Sequence, residues 1–144
     1  MHARFLTAVV TAVAVATPAL AQDVLRIGAS LPLTGNFSVS GEKHEQGYSL
    51  CVDLINETGG LIDRPVELLV SDNRSDNATA ISQYERFINV NGVEAVFGTF
   101  SSRLTFPVAS ILSRNGFVHP VPAGGALRIY TQGYRLAPDA NIGV

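Results

Sequence analysis

The 144 residues contain one cysteine, one methionine and no tryptophan, and only 15% of them are charged. Cys51 alone cannot close an intrachain disulfide, so no covalent framework is expected to hold the fold. Arg4 is the only Lys or Arg of the ten that falls in the first 21 residues, so nine basic residues remain against twelve acidic ones. Without a clustered basic face, the chain offers no nucleic-acid footprint. The most apolar stretch, Phe5 to Ala16, has twelve residues, too few to cross a bilayer as a helix, and no second such run follows. The usual catalytic and cofactor signatures are missing as well. PLTGNFSVSG follows the first strand where a dinucleotide site needs G-x-G-x-x-G, and there is no G-x-x-x-x-G-K-[ST] and no G-x-S-x-G. His44 and His119 are not at metal spacing, and His44 reads as a surface or interface residue. No metal, no cofactor and no enzymatic activity are expected.

What is present begins with a leader. Met1 to Ala21 has a basic start at Arg4, a short apolar core and a small-residue end at Ala19-Leu20-Ala21, which predicts export with cleavage after Ala21. Residues 22–144 would then form one modest domain, burying roughly 65% of its unfolded surface. Four N-x-[ST] sequons, at Asn36, Asn56, Asn73 and Asn77, are read as chance.

The rest of the chain alternates. Val24–Leu31 reads as a first strand, broken by Pro32-Leu33-Thr34-Gly35, with a loop continuing to Gly41. Glu42–Asn56 reads as a helix with His44, Tyr48, Cys51, Val52 and Ile55 recurring at steps of three and four, and Leu50 and Leu54 alongside. Cys51 is expected to be a small core residue, and Gly47 costs roughly 1 kcal/mol of helix preference, tolerable if the helix must lie close against the sheet there. Thr58-Gly59-Gly60 stops this helix in the manner of a glycine cap. A second strand, Val66–Val70, leads through Ser71-Asp72-Asn73 to a helix reaching about Val90, with Ala80, Ile81, Tyr84, Phe87 and Ile88 inward. Asp76 suits that helix's N-terminus. A fourth strand is expected at Phe117–His119, and another begins at Tyr134-Arg135-Leu136. Such alternation predicts an α/β fold, a parallel sheet with helices on both faces.

The centre of this pattern is Val93 to Pro107, VEAVFGTFSSRLTFP. An apolar strand breaks at Gly98, a hydroxyl-rich turn of Thr99, Phe100, Ser101 and Ser102 follows, and Leu104, Val108, Ala109, Ile111 and Leu112 continue with helical spacing. In an open α/β sheet this edge binds ligands, because helix N–H groups and the positive dipole end face a crevice. Ser101 and Ser102 have no base beside them, so the turn suits holding a small anion and not transforming it. The alternative is that one of them only caps the helix. A second loop, Pro122-Ala123-Gly124-Gly125, ends the next strand at the same edge.

Five motifs in order carry a family resemblance: IGASLPLTG at 27–35, INETGGL at 55–61, SDN at 71–73, VFGTFSS at 96–102 and PAGG at 122–125. Together they resemble the start of type I periplasmic substrate-binding proteins, the leucine/isoleucine/valine-binding family of ABC importers, over Val24 to Arg135. The resemblance implies a flavodoxin-like strand order, a periplasmic location and an amino acid or similar small carboxylate as ligand. It also implies an ABC permease as partner of a full-length form. It matches Ser102 to the carboxylate-binding serine, with Thr99, Phe100 and Ser101 before it in the same loop. Ala123, Gly124 and Gly125 match the second loop, where amino-acid binders place Ala and Thr; Gly125 replaces the threonine. Ser40 stands where some members set an aromatic residue over the ligand. The family has two lobes that close on the ligand, and this chain resembles the N-terminal part of the first lobe, hence a truncated and incomplete form. A sensory ligand-binding domain of the same fold, an α/β enzyme with its catalytic groups elsewhere, and a non-functional fragment are the other readings.

Overall fold

The first strand is buried at every position except Arg26, as befits a strand with neighbours on both sides and helices on both faces. In the computed structural model of the protein, residues 23–138 are described; the leader with its cleavage point after Ala21, and residues 139–144, lie outside them. The order is β1 (Leu25–Leu31), α1 (Ser38–Glu57), β2 (Val66–Asp72), α2 (Asn77–Arg86), a π-helical turn (Phe87–Asn91), β3 (Ala95–Phe97), α3 (Ser102–Arg114), β4 (His119–Val121), α4 (Leu127–Tyr130) and β5 (Leu136–Pro138). The predicted parallel α/β architecture is there. Strand β1 pairs with β2 from Leu25↔Val66 to Leu31↔Asp72, and with β3 from Ile27↔Ala95 to Ala29↔Phe97, all parallel.

Strand order is β2-β1-β3 in a three-stranded sheet and β4-β5 in a two-stranded one, so the flavodoxin-like order is met in two pieces. The break has a chemical cause. The His119 N–H donates to the Arg135 carbonyl at 2.8 Å, toward β5, so the N–H groups that would point the other way, toward β3, belong to positions 120 and 122. Both are proline and have no N–H to give. Contact across the seam is close even so, because a Cβ on Gly98 would stand 2.0 Å from the Pro120 oxygen.

One face of β1 and β2 packs Leu25, Ile27 and Val66 against Val52 and Ile55 of α1. On the other face, Ala80, Tyr84, Phe87, Leu104, Val108 and Leu112 bury Val96. Burying a residue of this kind contributes roughly 1.5–3 kcal/mol, so these two layers hold the frame that positions the loops.

Several local expectations are corrected. Helix α1 starts at Ser38, before the predicted Glu42, since Gly41 is a packing residue and not a loop residue: its backbone sits so near Pro32 that a Cβ would be 2.1 Å from that carbonyl oxygen. Gly47 has nothing within 4 Å of the place a Cβ would take, so it does not lie against the sheet. Cys51 is exposed, as are Leu50 and Leu54 at 60% and 54%. The sheet takes the stripe of Gly41, Tyr48, Val52 and Ile55 instead. Strand β4 lies two residues beyond Phe117, running through Pro120, which the unbonded side of the strand tolerates. The helix before β3 turns from α to π at Phe87, and α4 has no counterpart in the sequence reading.

Candidate functional site

The three strand ends at the C-terminal edge are tied by a buried polar cluster. The Asn73 amide donates to Ser30 Oγ at 3.1 Å and to Thr99 Oγ1 at 3.2 Å, and its carbonyl accepts from the Ser75 N–H at 3.0 Å. Ser30 Oγ donates to Gln83 Oε1 at 2.7 Å, and the Gln83 amide donates to the Asp72 carbonyl at 2.8 Å. Asp72 Oδ1 in turn accepts from the Leu33 and Thr34 N–H groups, which fixes the loop after β1. Burial raises the Asp72 carboxyl, but hydrogen bonds from the Thr34 hydroxyl and the Arg74, Thr34 and Leu33 amides outweigh it and hold its pKa below the ordinary value. The carbonyls at the end of β3 are held too: Tyr48 Oη donates to Gly98 O at 2.9 Å and Tyr84 Oη to Phe97 O at 2.7 Å. Burial pushes both phenols up, so each stays a donor.

Above this floor the chain turns into α3. Ser101 adopts φ 80°, ψ 137°, a conformation uncommon outside glycine that costs about 1–3 kcal/mol and collects at functional positions. Its Oγ accepts from the Arg103 N–H at 3.2 Å, so Ser101 does cap the helix. Ser102 Oγ accepts from the Ala126 N–H at 3.0 Å and thereby ties the β3 loop to the loop after β4. Phe100 and Ala123 add a parallel bridge between the same two loops, and Tyr130 Oη holds the Gly124 carbonyl at 2.7 Å.

The result is an open cleft of about 490 Å³ lined by Phe37, Phe100, Ser101, Ser102, Pro122, Ala123, Gly124 and Gly125. Six of the eight candidate residues therefore share one site. Thr99 is fully buried beneath it, its hydroxyl taken by Asn73, and does not line the cleft. Nor does Ser40, in the first turn of α1, whose carbonyl faces the His44 ring nitrogen at 2.7 Å. In its place Phe37 supplies the aromatic wall, 5.7 Å from Phe100 ring to ring, with His44 packing on Phe100 at 5.5 Å. Phe37 and Pro122 were not singled out from the sequence. An aromatic residue in the broken loop after β1, on the same sheet edge as Ser101, was the available signal.

The lining has no charged side chain, so its chemistry is that of neutral donors beside an apolar wall. Each serine oxygen already accepts a backbone N–H, which leaves its own O–H to be donated outward. At the start of α3 the Arg103 N–H is taken by Ser101 Oγ and the Leu104 and Thr105 N–H groups by the Ser101 carbonyl, so the helix offers the cleft the Ser102 N–H and the positive end of its dipole. Such a site can hold a carboxylate and an apolar tail. Gly124 is packed so tightly that a Cβ would be 2.9 Å from Val121 Cγ1, whereas Gly125 has open space.

Known proteins are similar to this chain in sequence and in fold. The chain is 30% identical over 100 residues to Leu/Ile/Val-binding protein homolog 1 of Brucella abortus, matching 69% of this chain and 26% of that protein. It is 27% identical over 121 residues to the leucine-, isoleucine-, valine-, threonine- and alanine-binding protein of Pseudomonas aeruginosa, covering 84% of this chain and 32% of that one. Among solved structures, the branched-chain amino acid transporter substrate-binding protein LivJ of Streptococcus pneumoniae, in complex with isoleucine, superposes with a TM-score of 0.75 at 26% identity, over 81% of this chain and 33% of that one. The chain thus spans about a quarter to a third of the length of these relatives. A sequence model of periplasmic binding proteins matches residues 24–133, from the first strand to just beyond the second cleft loop, and on that match the chain belongs to the periplasmic binding protein family.

Proposed function

We propose that this chain supplies the carboxylate-holding rim of a solute-binding component of an ABC importer, for branched-chain amino acids or related small carboxylates and amides. The observation that carries the reading is the convergence of Ser101 and Ser102 with Ala123, Gly124 and Gly125 in one uncharged cleft against the N-terminus of α3. The serine hydroxyls and amides hold the carboxylate, and Phe37, Phe100 and Pro122 receive the apolar side chain. With Gly125 in place of threonine, no hydroxyl stands ready for an α-amino group, so acids and amides lacking that group compete well with amino acids. Residues 1–21 act as the export signal, residues 22–144 form part of the first lobe, and delivery is to a membrane permease. The likeness to a transporter substrate-binding protein of Streptococcus pneumoniae supports the permease partner.

The test is amide-resolved NMR titration of the purified chain with isoleucine, with its amide, and with a simple apolar carboxylate. Expected are shifts at Ser101, Ser102, Gly124 and Gly125 that saturate only at millimolar ligand, because the cleft is open on one side, and that vanish in Ser102→Ala. Shifts confined to other residues, or none with any of the ligands, would overturn the reading. Micromolar or tighter affinity for any amino acid would contradict the expectation that this rim grips weakly by itself.

A further inference from the structure

Helix α1 carries a second apolar stripe that the fold does not use. Lys43, Gly47, Leu50, Leu54 and Glu57 recur at steps of four, three, four and three, the spacing of a helix-pairing seam, and lie across the helix from Gly41 and Val52, which are buried against the sheet. Leu50 and Leu54 are 60% and 54% exposed, and the space over Gly47 is open. Two exposed leucines beside a bare glycine form a knob-and-gap surface on which a second helix can pack.

The charges at the two ends of the stripe select the partner. Lys43 lies near the start and Glu57 at the end, and among the described residues neither has an ion-pair partner. We propose that α1 pairs antiparallel with α1 of a second copy of this chain, about a two-fold axis at Leu50. That register sets Leu50 against Leu50, brings Leu54 over the partner's Gly47 region, and places Lys43 beside the partner's Glu57 at both ends. A parallel pair would oppose Lys43 to Lys43 and Glu57 to Glu57, and would align the helix dipoles unfavourably. The surface is therefore self-complementary in one orientation only, as a two-fold interface requires. A seam of two leucines per copy lies at the small end of specific interfaces, so the dimer is weak and concentration-dependent. The pairing face is on the solvent side of α1, away from the Ser101 and Gly124 cleft, and the inference is independent of what that cleft binds.

Cys51 adjoins the seam and reports on it without mutation. The chain, expressed with its leader and purified after export, should show a monomer–dimer equilibrium by sedimentation velocity at high micromolar concentration. A short bis-maleimide should join it into a dimer through Cys51. Leu50→Glu, on the solvent side and checked for fold by circular dichroism, should raise the dissociation constant at least about 10-fold, since it acts twice in a two-fold interface. Lys43→Glu alone should weaken pairing, and Lys43→Glu with Glu57→Lys should restore it. A chain that stays monomeric and uncrosslinked at these concentrations would overturn the proposal. So would a dimer that survives Leu50→Glu, which would put the contact elsewhere on the chain.

Discussion

Acidification should destabilise this protein through one residue before its carboxylates matter. His119 opens β4 fully buried, its ring 6.4 Å from that of Tyr84, and neither ring nitrogen has a hydrogen-bond partner among the described residues. Burial disfavours the imidazolium and pushes the pKa from 6.5 down to about 4. The sign follows from linkage. Below pH 6.5 the unfolded chain takes up a proton that the folded chain refuses until about pH 4, so stability is full above neutrality and falls as pH drops through that window. With these values the loss relative to pH 8 is about 2 kcal/mol at pH 5 and about 3 kcal/mol at pH 4, a large share of a small domain's stability. The carboxylates with lowered pKa values, Asp72, Asp76 and Glu94, start from ordinary values of 3.8, 3.8 and 4.5, so their stabilisation is lost lower on the scale. Urea titrations at pH 8, 6 and 5 measure the effect, and His119→Leu, which cannot titrate, should flatten it. In an NMR pH titration the His119 resonance should shift with a midpoint near 4. A wild-type loss below about 0.5 kcal/mol between pH 8 and pH 5, or an unchanged pH dependence in His119→Leu, would refute the reasoning.

Three further outcomes are expected from urea or thermal unfolding. Asn73→Ala removes three hydrogen bonds within the buried cluster and should cost about 2–3 kcal/mol, with a coupling to Thr99→Val of at least ~0.5 kcal/mol in a double-mutant cycle; additivity would show that the two side chains act separately. Gly47→Ala, in an exposed helix interior with free space, should stabilise by about 0.5–1 kcal/mol, and a destabilisation would mean that something packs there. Gly98→Ala drives a Cβ onto the Pro120 oxygen and should cost about 1–3 kcal/mol; a neutral result would show that β3 and β4 can separate freely.

The alternation of strands and helices was legible because strands β1 and β2 are short apolar runs bounded by Pro, Gly, Asp and Asn, and helices α2 and α3 each show one apolar stripe. Helix α1 was harder because it has two. His44, Tyr48, Val52 and Ile55 form one, Leu50 and Leu54 the other, and periodicity cannot say which stripe a sheet will bury. Cys51 sits between them: its spacing beside apolar neighbours and the usual burial of free cysteine both point to the core, whereas it is exposed. The cleft was legible as far as the strand-end rule reaches: a turn after β3 and a turn after β4 must share an edge. Thr99 has the same chemistry as its neighbours but points down to Asn73, a partner 26 positions away that no local pattern announces. Ser40 lay outside the lining because α1 begins one turn earlier than its glycine suggested, and Phe37 came forward for the same reason.

Prolines 120 and 122 take the main-chain rungs away from the junction between β3 and β4, and the cleft straddles that junction, with Ser101 and Ser102 on one bank and Pro122 to Gly125 on the other. Among the described residues, one serine–amide link, one isolated bridge and snug van der Waals fit hold the two banks together. A guest molecule gripping both banks would act as a rivet through an unstitched joint, and its grip would register as stiffness in the scaffold as well as in its own retention.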